Sequence, residues 1–389
     1  MTHLAREIFE VWKGAYLRRT LSRKQIRRPV ANGAKSFLFI LLNAIGDAIM
    51  AQPVWSMLKS VLPQARIELL CRPQISVLFT QDKSLYAVHT FDADPHAWWN
   101  PRNVDPIEAL WRKQKYDVIL DFTEIPLTAA ACARETAPPS VGFDRLPDRF
   151  GKTMNLSCAY DHAFPYTDSD PIREVMLGLA SPWIPSTVNR PVPSLAIREE
   201  TLDRAASGLR KRGLEAEGFI TLHPGAKWPP KRWPVSHWSK LIQRIQESSS
   251  WSILLLGGNQ DESLIHSILH EGGAPPVPFL LCEDLSTAAE ILSLSALCVC
   301  NDSAAMHIAA AVGTPSISLF GPVSPSKSAP SEQEGCRPLY EGLFCSPCTL
   351  YYSRDRCRRG LNFCMHAISP ERVYCEIEKM VVHKEGEVS

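Results

Sequence analysis

The sequence predicts two α/β domains in tandem, each a Rossmann-like parallel sheet covered by helices on both faces. Three observations carry this. The chain has 389 residues, more than one hydrophobic core usually serves. Short, continuous apolar runs alternate with helical patterns, as strands buried on both faces require. A second series of such runs also begins afresh in mid-chain. The first series falls at 36–42, 66–71, 87–91, 116–121 and 140–143, and the second at 218–222, 252–257, 278–282, 296–300 and 315–320. Between them, the proline-rich stretch 181–198 reads as a linker. The expected organisation is a basic arm over 1–35, an N-terminal domain over 36–190, a C-terminal domain over 191–365 with a cysteine-rich segment at 336–364, and a final helix and tail over 366–389.

Composition narrows the function. The formal charge of +1 argues against a protein that wraps nucleic acid along its length. Basic charge is concentrated in residues 1–35, where nine Lys/Arg face only Glu7 and Glu10. Leu4, Ile8, Val11, Trp12 and Leu21 fall near helical spacing there. The arm therefore reads either as a peripheral contact with an anionic inner-membrane surface or as a solvated or packed segment. The apolar run at 36–42 lies too far from Met1 for a signal peptide, and no apolar stretch approaches 18 residues. A cytoplasmic chain is expected, with its twelve cysteines as reduced thiols or metal ligands.

Sites in open parallel sheets form beyond the carboxyl ends of the strands, and each notable motif lies at such a position. Strand 36–42 leads into Gly46-Asp47 and a helical stretch. Asp47 is either a helix-capping carboxylate or a general base for an acceptor hydroxyl. Strand 218–222 ends in His223-Pro224-Gly225-Ala226-Lys227-Trp228-Pro229-Pro230-Lys231-Arg232-Trp233-Pro234, before a helix near 235–248. Prolines and glycine fix this loop, and Lys227, Lys231 and Arg232 supply cations suited to a phosphate. The alternative is a rigid surface loop with solvated charges. His223 fits a buried, satisfied histidine, and Trp228 and Trp233 fit packing roles.

Strand 252–257 runs through Gly257-Gly258 to Asp261-Glu262. It lacks a full dinucleotide fingerprint, so Glu262 is the candidate acceptor of hydrogen bonds from a ribose diol, or a first-turn acid matched to the helix dipole. Strand 296–300 stops at Asn301-Asp302-Ser303, ahead of the small-residue helix that begins at Ala304 and contains His307. The unpaired amides of that helix start suit a diphosphate, with Ser303 beside them and Asp302 serving a donor hydroxyl or positioning the loop; the alternative is a merely well-capped helix. His307 faces either the site or the core.

Cys345, Cys348, Cys357 and Cys364 form a C-x₂-C-x₈-C-x₆-C array suited to structural zinc or iron, unless it is a metal-free thiol cluster. The arginines among them raise a separate function, a metal-stabilised nucleic-acid module, although it covers only this segment.

These motifs in this order resemble glycosyltransferase family 9, which contains the bacterial lipopolysaccharide heptosyltransferases. The matching residues are Gly46-Asp47 with Pro53, His223–Ala226 with Lys231–Pro234, Asn301-Asp302-Ser303 with His307, Gly313-Thr314-Pro315, Leu319–Pro322, and the cysteine-rich ending with Ile368–Glu371. The resemblance spans about residues 36 to 381. It implies a GT-B fold whose sheets face a central cleft, and an inverting transfer without a catalytic metal. It further implies Asp47 as base, Lys231 on the donor phosphate, and Asp302 and Ser303 lining the donor site. The implied donor is ADP-L-glycero-D-manno-heptose and the implied acceptor a lipopolysaccharide core sugar. Another nucleotide sugar, or a protein or capsule acceptor, stays open, and no nucleic-acid partner is expected. Family members commonly carry glycine where this chain has Ala304, and the arm lies outside the resemblance.

Overall fold

The computed structural model describes residues 33–92, 101–123, 126–134, 136–147, 153–167, 170–270, 276–348, 357 and 359–386. The basic arm, apart from residues 33–35, lies outside them. The chain divides into two compact units, the first ending at Pro191 and the second beginning at Val192. Among the described residues no helix is long and apolar enough to cross a membrane.

In the first unit, β1 (Ser36–Leu41), β2 (Arg66–Cys71), β3 (Ala87–Thr90), β4 (Val118–Asp121), β5 (Ser140–Phe143) and β8 (His162–Phe164) form one sheet in the order β3-β2-β1-β4-β5-β8. Every pairing in it is parallel. A short antiparallel hairpin, β6 (Arg145–Pro147) with β7 (Thr153–Asn155), stands apart. The longer helices are α1 (Ile45–Val61), α2 (Pro101–Lys113), α3 (Pro126–Cys132) and α4 (Ile172–Ala180). Strand β1 is apolar and buried from Phe37 to Leu41 because both its faces are covered. Phe39 stacks on Phe122 and meets Trp55 of α1 edge-on, while Phe37 meets Trp183 from the segment after α4.

The second unit repeats this scheme. Strands β9 (Phe219–His223), β10 (Ser252–Gly258), β11 (Phe279–Cys282), β12 (Leu297–Asn301), β13 (Ser316–Phe320) and β14 (Cys336–Tyr340) run in the order β11-β10-β9-β12-β13-β14, again all parallel. Its longer helices are α5 (Glu199–Arg210), α6 (Val235–Ser248), α7 (Glu262–His270), α8 (Leu285–Ser293), α9 (Ala304–Ala311) and α10 (Pro370–Gly386). Residues of β9, β12 and β13 share a core with Trp238 and Ile242 of α6 and with Tyr374 and Ile377 of α10. Each sheet starts at its middle and changes direction between its first and fourth strands, at β1/β4 and β9/β12. A doubly wound sheet opens a crevice beyond the carboxyl ends of those strands.

Candidate functional site

In the second unit the crevice between β9 and β12 is built from two loops locked together. Asn301, the last residue of β12, is fully buried. Its amide donates to the Pro224 carbonyl at 2.7 Å and accepts the Trp233 N–H at 3.0 Å, so one side chain fixes both ends of the loop after β9. Within that loop Arg232 Nε donates to the Ala226 carbonyl at 3.0 Å, and Pro229–Lys231 forms a tight 3₁₀ turn. Trp233 is buried edge-on against Trp238, and its indole N–H donates to the Ile368 carbonyl at 2.9 Å. From the cysteine-rich segment, Asn362 Nδ2 donates to the carbonyls of Pro230 and Arg232, at 3.3 and 3.0 Å. Lys231 thus sits on a turn whose flanking carbonyls are held from behind.

The Lys231 ammonium reaches across the crevice to the Asp302 carboxylate at 2.6 Å, and their side chains are only 14% and 6% exposed. The same ammonium lies 4.9 Å from the Trp228 ring centre. Ser303 caps α9 from an extended backbone, and its hydroxyl is buried with no hydrogen-bond partner among the described residues. A lysine, an acid, an unsatisfied hydroxyl and the free amides of an eight-residue helix therefore converge where the loops meet. This is a ready cradle for a diphosphate.

The other expected donor-site residues sit on the loop after β9, on α9 and at the start of α7. Arg232 braces the loop, whereas Lys227 is exposed. Ala304 opens α9, and His307, one turn on, is 5% exposed. Glu262 is exposed at the start of α7; its neighbour Asp261 is buried and accepts the Gly258 N–H at 3.1 Å. A Cβ added at Gly225 would come within 2.6 Å of the Asp261 carboxylate, so glycine is what lets the loop after β9 close over that acid. Burial lowers the His223 pKa, an effect that the Asp261 charge opposes, and its Nδ1 is buried with no hydrogen-bond partner among the described residues, so it is not the satisfied histidine expected there.

In the first unit, Asp47 is the third residue of α1, half-buried, and its Oδ2 accepts the Ala44 N–H at 3.1 Å. The loop before it is pinned from two sides. Asn43 Nδ2 donates to the Phe122 carbonyl at 3.2 Å, and Arg72 Nε donates to the Leu42 carbonyl at 2.7 Å. The carboxylate thus caps its own helix on a fixed loop at the β1/β4 switch, so the capping role is present in the structure.

Among the described residues no group of three or more His, Cys, Asp or Glu side chains is arranged to hold a metal ion. Burial nevertheless pushes the Cys364 thiol up to about 11, with Cys345 and Cys357 adding to the rise. The Cys348 N–H donates to the Pro322 carbonyl at 2.8 Å.

Residues 107–349 match the profile of glycosyltransferase family 9 (heptosyltransferase). The chain belongs to this family. As a family 9 glycosyltransferase it is 26% identical to lipopolysaccharide heptosyltransferase 1 of Pseudomonas aeruginosa over 294 residues, 71% of this chain and 78% of that one. It is 23% identical to lipooligosaccharide heptosyltransferase 2 of Haemophilus ducreyi over 357 residues, 87% of this chain and 97% of the relative. Its fold matches the structure of E. coli ADP-heptose LPS heptosyltransferase II with a TM-score of 0.70 at 20% identity, covering 90% and 99% of the two chains. It also matches E. coli heptosyltransferase WaaC with ADP-2-deoxy-2-fluoro heptose, with a TM-score of 0.65 at 15% identity, covering 88% and 99%. The expected GT-B architecture is therefore present in this family 9 enzyme.

The sequence reading passed over three positioning residues. Asn301 stood in a motif that was read only for Asp302 and Ser303. Asp261 lost to Glu262 because adjacent acids give no sign of which one faces inward. Asn362 offers no local signal, since its partners lie about 130 residues earlier.

Proposed function

We propose that this glycosyltransferase moves heptose from ADP-L-glycero-D-manno-heptose to a sugar of the lipopolysaccharide core, with inversion at the anomeric carbon. The observation that carries the reading is the buried Lys231–Asp302 pair beside the start of α9, in a chain whose relatives are named as heptosyltransferases of lipopolysaccharide and lipooligosaccharide. Lys231, Ser303 and the α9 amides hold the donor diphosphate, with Arg232 and Lys227 adding positive potential. Asp302 turns to a donor hydroxyl, Glu262 serves the ribose, and Ala304 and His307 complete the wall.

Asp47 takes the proton from an acceptor hydroxyl. The oxygen attacks the anomeric carbon from the face opposite the diphosphate, the bond to the diphosphate breaks, and ADP leaves with its charge met by groups already in place. Side chains supply the cations, so the scheme runs without a catalytic metal. A cytoplasmic location follows from a nucleotide-sugar donor, and the basic arm gives a peripheral hold on the anionic inner membrane surface.

Incubation with ADP-heptose and heptose-free core oligosaccharide should add one heptose by mass spectrometry, with an inverted anomeric proton signal by NMR. Transfer from a different nucleotide sugar, with ADP-heptose left untouched, would overturn the donor assignment. For the cysteines, four thiolates suit a structural zinc or iron. Elemental analysis of anaerobically purified protein should find one equivalent of either metal, and a metal-free result excludes the site.

A further inference from the structure

The first unit contains a second charged group at the same loop as Asp47. Arg72 follows β2 directly, in register with the end of β1, where Leu41 pairs with Cys71. Its Nε donates to the Leu42 carbonyl at 2.7 Å, which spends one of five guanidinium N–H donors and fixes the stem. Other arginines of this unit face acids: Arg66 meets Glu68, Arg112 and Arg134 meet Glu108, Arg145 meets Asp144, and Arg190 meets Glu174. Arg72 has no carboxylate within 4.0 Å among the described residues, yet it is partly buried. A partly desolvated cation without a counter-ion is costly to hold. An arginine keeps its charge at any accessible pH and presents a planar fork matched to carboxylate or phosphate.

We infer that Arg72 is an acceptor-recognition residue, binding a carboxylate or phosphate on the acceptor sugar beside the Asp47 loop. The word acceptor rests on the transferase reading, whereas the anion site does not. Its position explains the choice of residue. The contact with Leu42 orients the fork at the carboxyl end of the sheet, and the chain continues from Leu42 into the segment that carries Asp47, so one anchor sets the cation and the base in a fixed relation.

The test is a ligand-detected NMR titration of the full-length protein with glucuronate, glucose 6-phosphate and glucose. At least one charged sugar should bind, and glucose should not; which one binds separates carboxylate from phosphate. Arg72→Gln should weaken that sugar at least tenfold while leaving ADP affinity unchanged. Should Arg72→Gln melt well below wild type, Arg72→Lys takes its place. It keeps the charge without the fork and should weaken the same sugar several-fold. Wild-type protein that prefers neither charged sugar over glucose, or variants that bind them as well as wild type, would overturn the inference. Failure of heptose transfer to every core tested would instead sink the transferase reading, leaving the NMR result to decide on Arg72.

Discussion

The ammonium of Lys231 and the carboxylate of Asp302 meet at 2.6 Å, both largely withdrawn from water. Each is the other's compensation for desolvation. Removing one partner strands a buried charge, which typically costs about 3–5 kcal/mol. Lys231→Ala should therefore lower the melting temperature of the donor-free enzyme and weaken ADP by roughly tenfold to a hundredfold, the scale of a lost charge-assisted hydrogen bond. Lys231→Met combined with Asp302→Asn should recover the stability but not the affinity. Calorimetry of both variants with ADP checks this, and a stable Lys231→Ala that binds ADP like wild type contradicts it.

Asn301 should matter as much as the residues that touch ligand. Truncation to alanine leaves the Pro224 carbonyl and the Trp233 N–H without their partner, at about 1–3 kcal/mol each. The expected result for Asn301→Ala is a destabilised enzyme with weakened ADP binding. Asn362→Ala, which frees only the carbonyls at 230 and 232, should weaken ADP with a smaller loss of stability. Thermal melting with and without ADP separates the two.

Gly225→Ala places a methyl group 2.6 Å from the Asp261 carboxylate, so the loop or the acid must move. ADP affinity should fall, and Asp261→Ala in the same chain should restore part of it by vacating the space. Purely additive losses in this double-mutant cycle would show that the two positions do not share the strain.

Asp121 closes β4, fully buried, and accepts hydrogen bonds from Thr123 and Tyr160. Burial raises its pKa to about 6 from the usual 3.8, against the pull of those donors. The folded state therefore keeps this proton to higher pH than the unfolded chain. Its contribution to stability is complete below about pH 4 and is lost as pH rises through 6. Asp121→Asn should flatten the dependence of stability on pH between those values, as followed by urea melts. An unchanged slope would assign the dependence to other groups.

Most strands of both sheets were legible because a strand buried on two faces must be mainly apolar, and the runs Phe37–Leu42, Leu69–Cys71 and Ile253–Leu256 are. Strand β14 was missed for a physical reason. Pro338 argues against a strand, but β14 is an edge strand paired only with β13, and an edge tolerates proline. The three-residue strands β6, β7 and β8 are too short to show a period. In the site, the charged loop and the helix start could be read from their own residues. Asp261, Asn301 and Asn362 act on carbonyls, amides and glycine space brought together by folding, and a linear pattern of side chains records none of these.

The central claim is that Asp47 takes the proton from the acceptor hydroxyl, while the donor is held independently of it. Asp47→Asn keeps an oxygen for the Ala44 N–H but cannot serve as a base. Steady-state heptose transfer by this variant, measured beside its calorimetric affinity for ADP, tests the claim most directly. The account predicts a fall in kcat of about 10²-fold or more with ADP affinity unchanged. Turnover at the wild-type rate would contradict it.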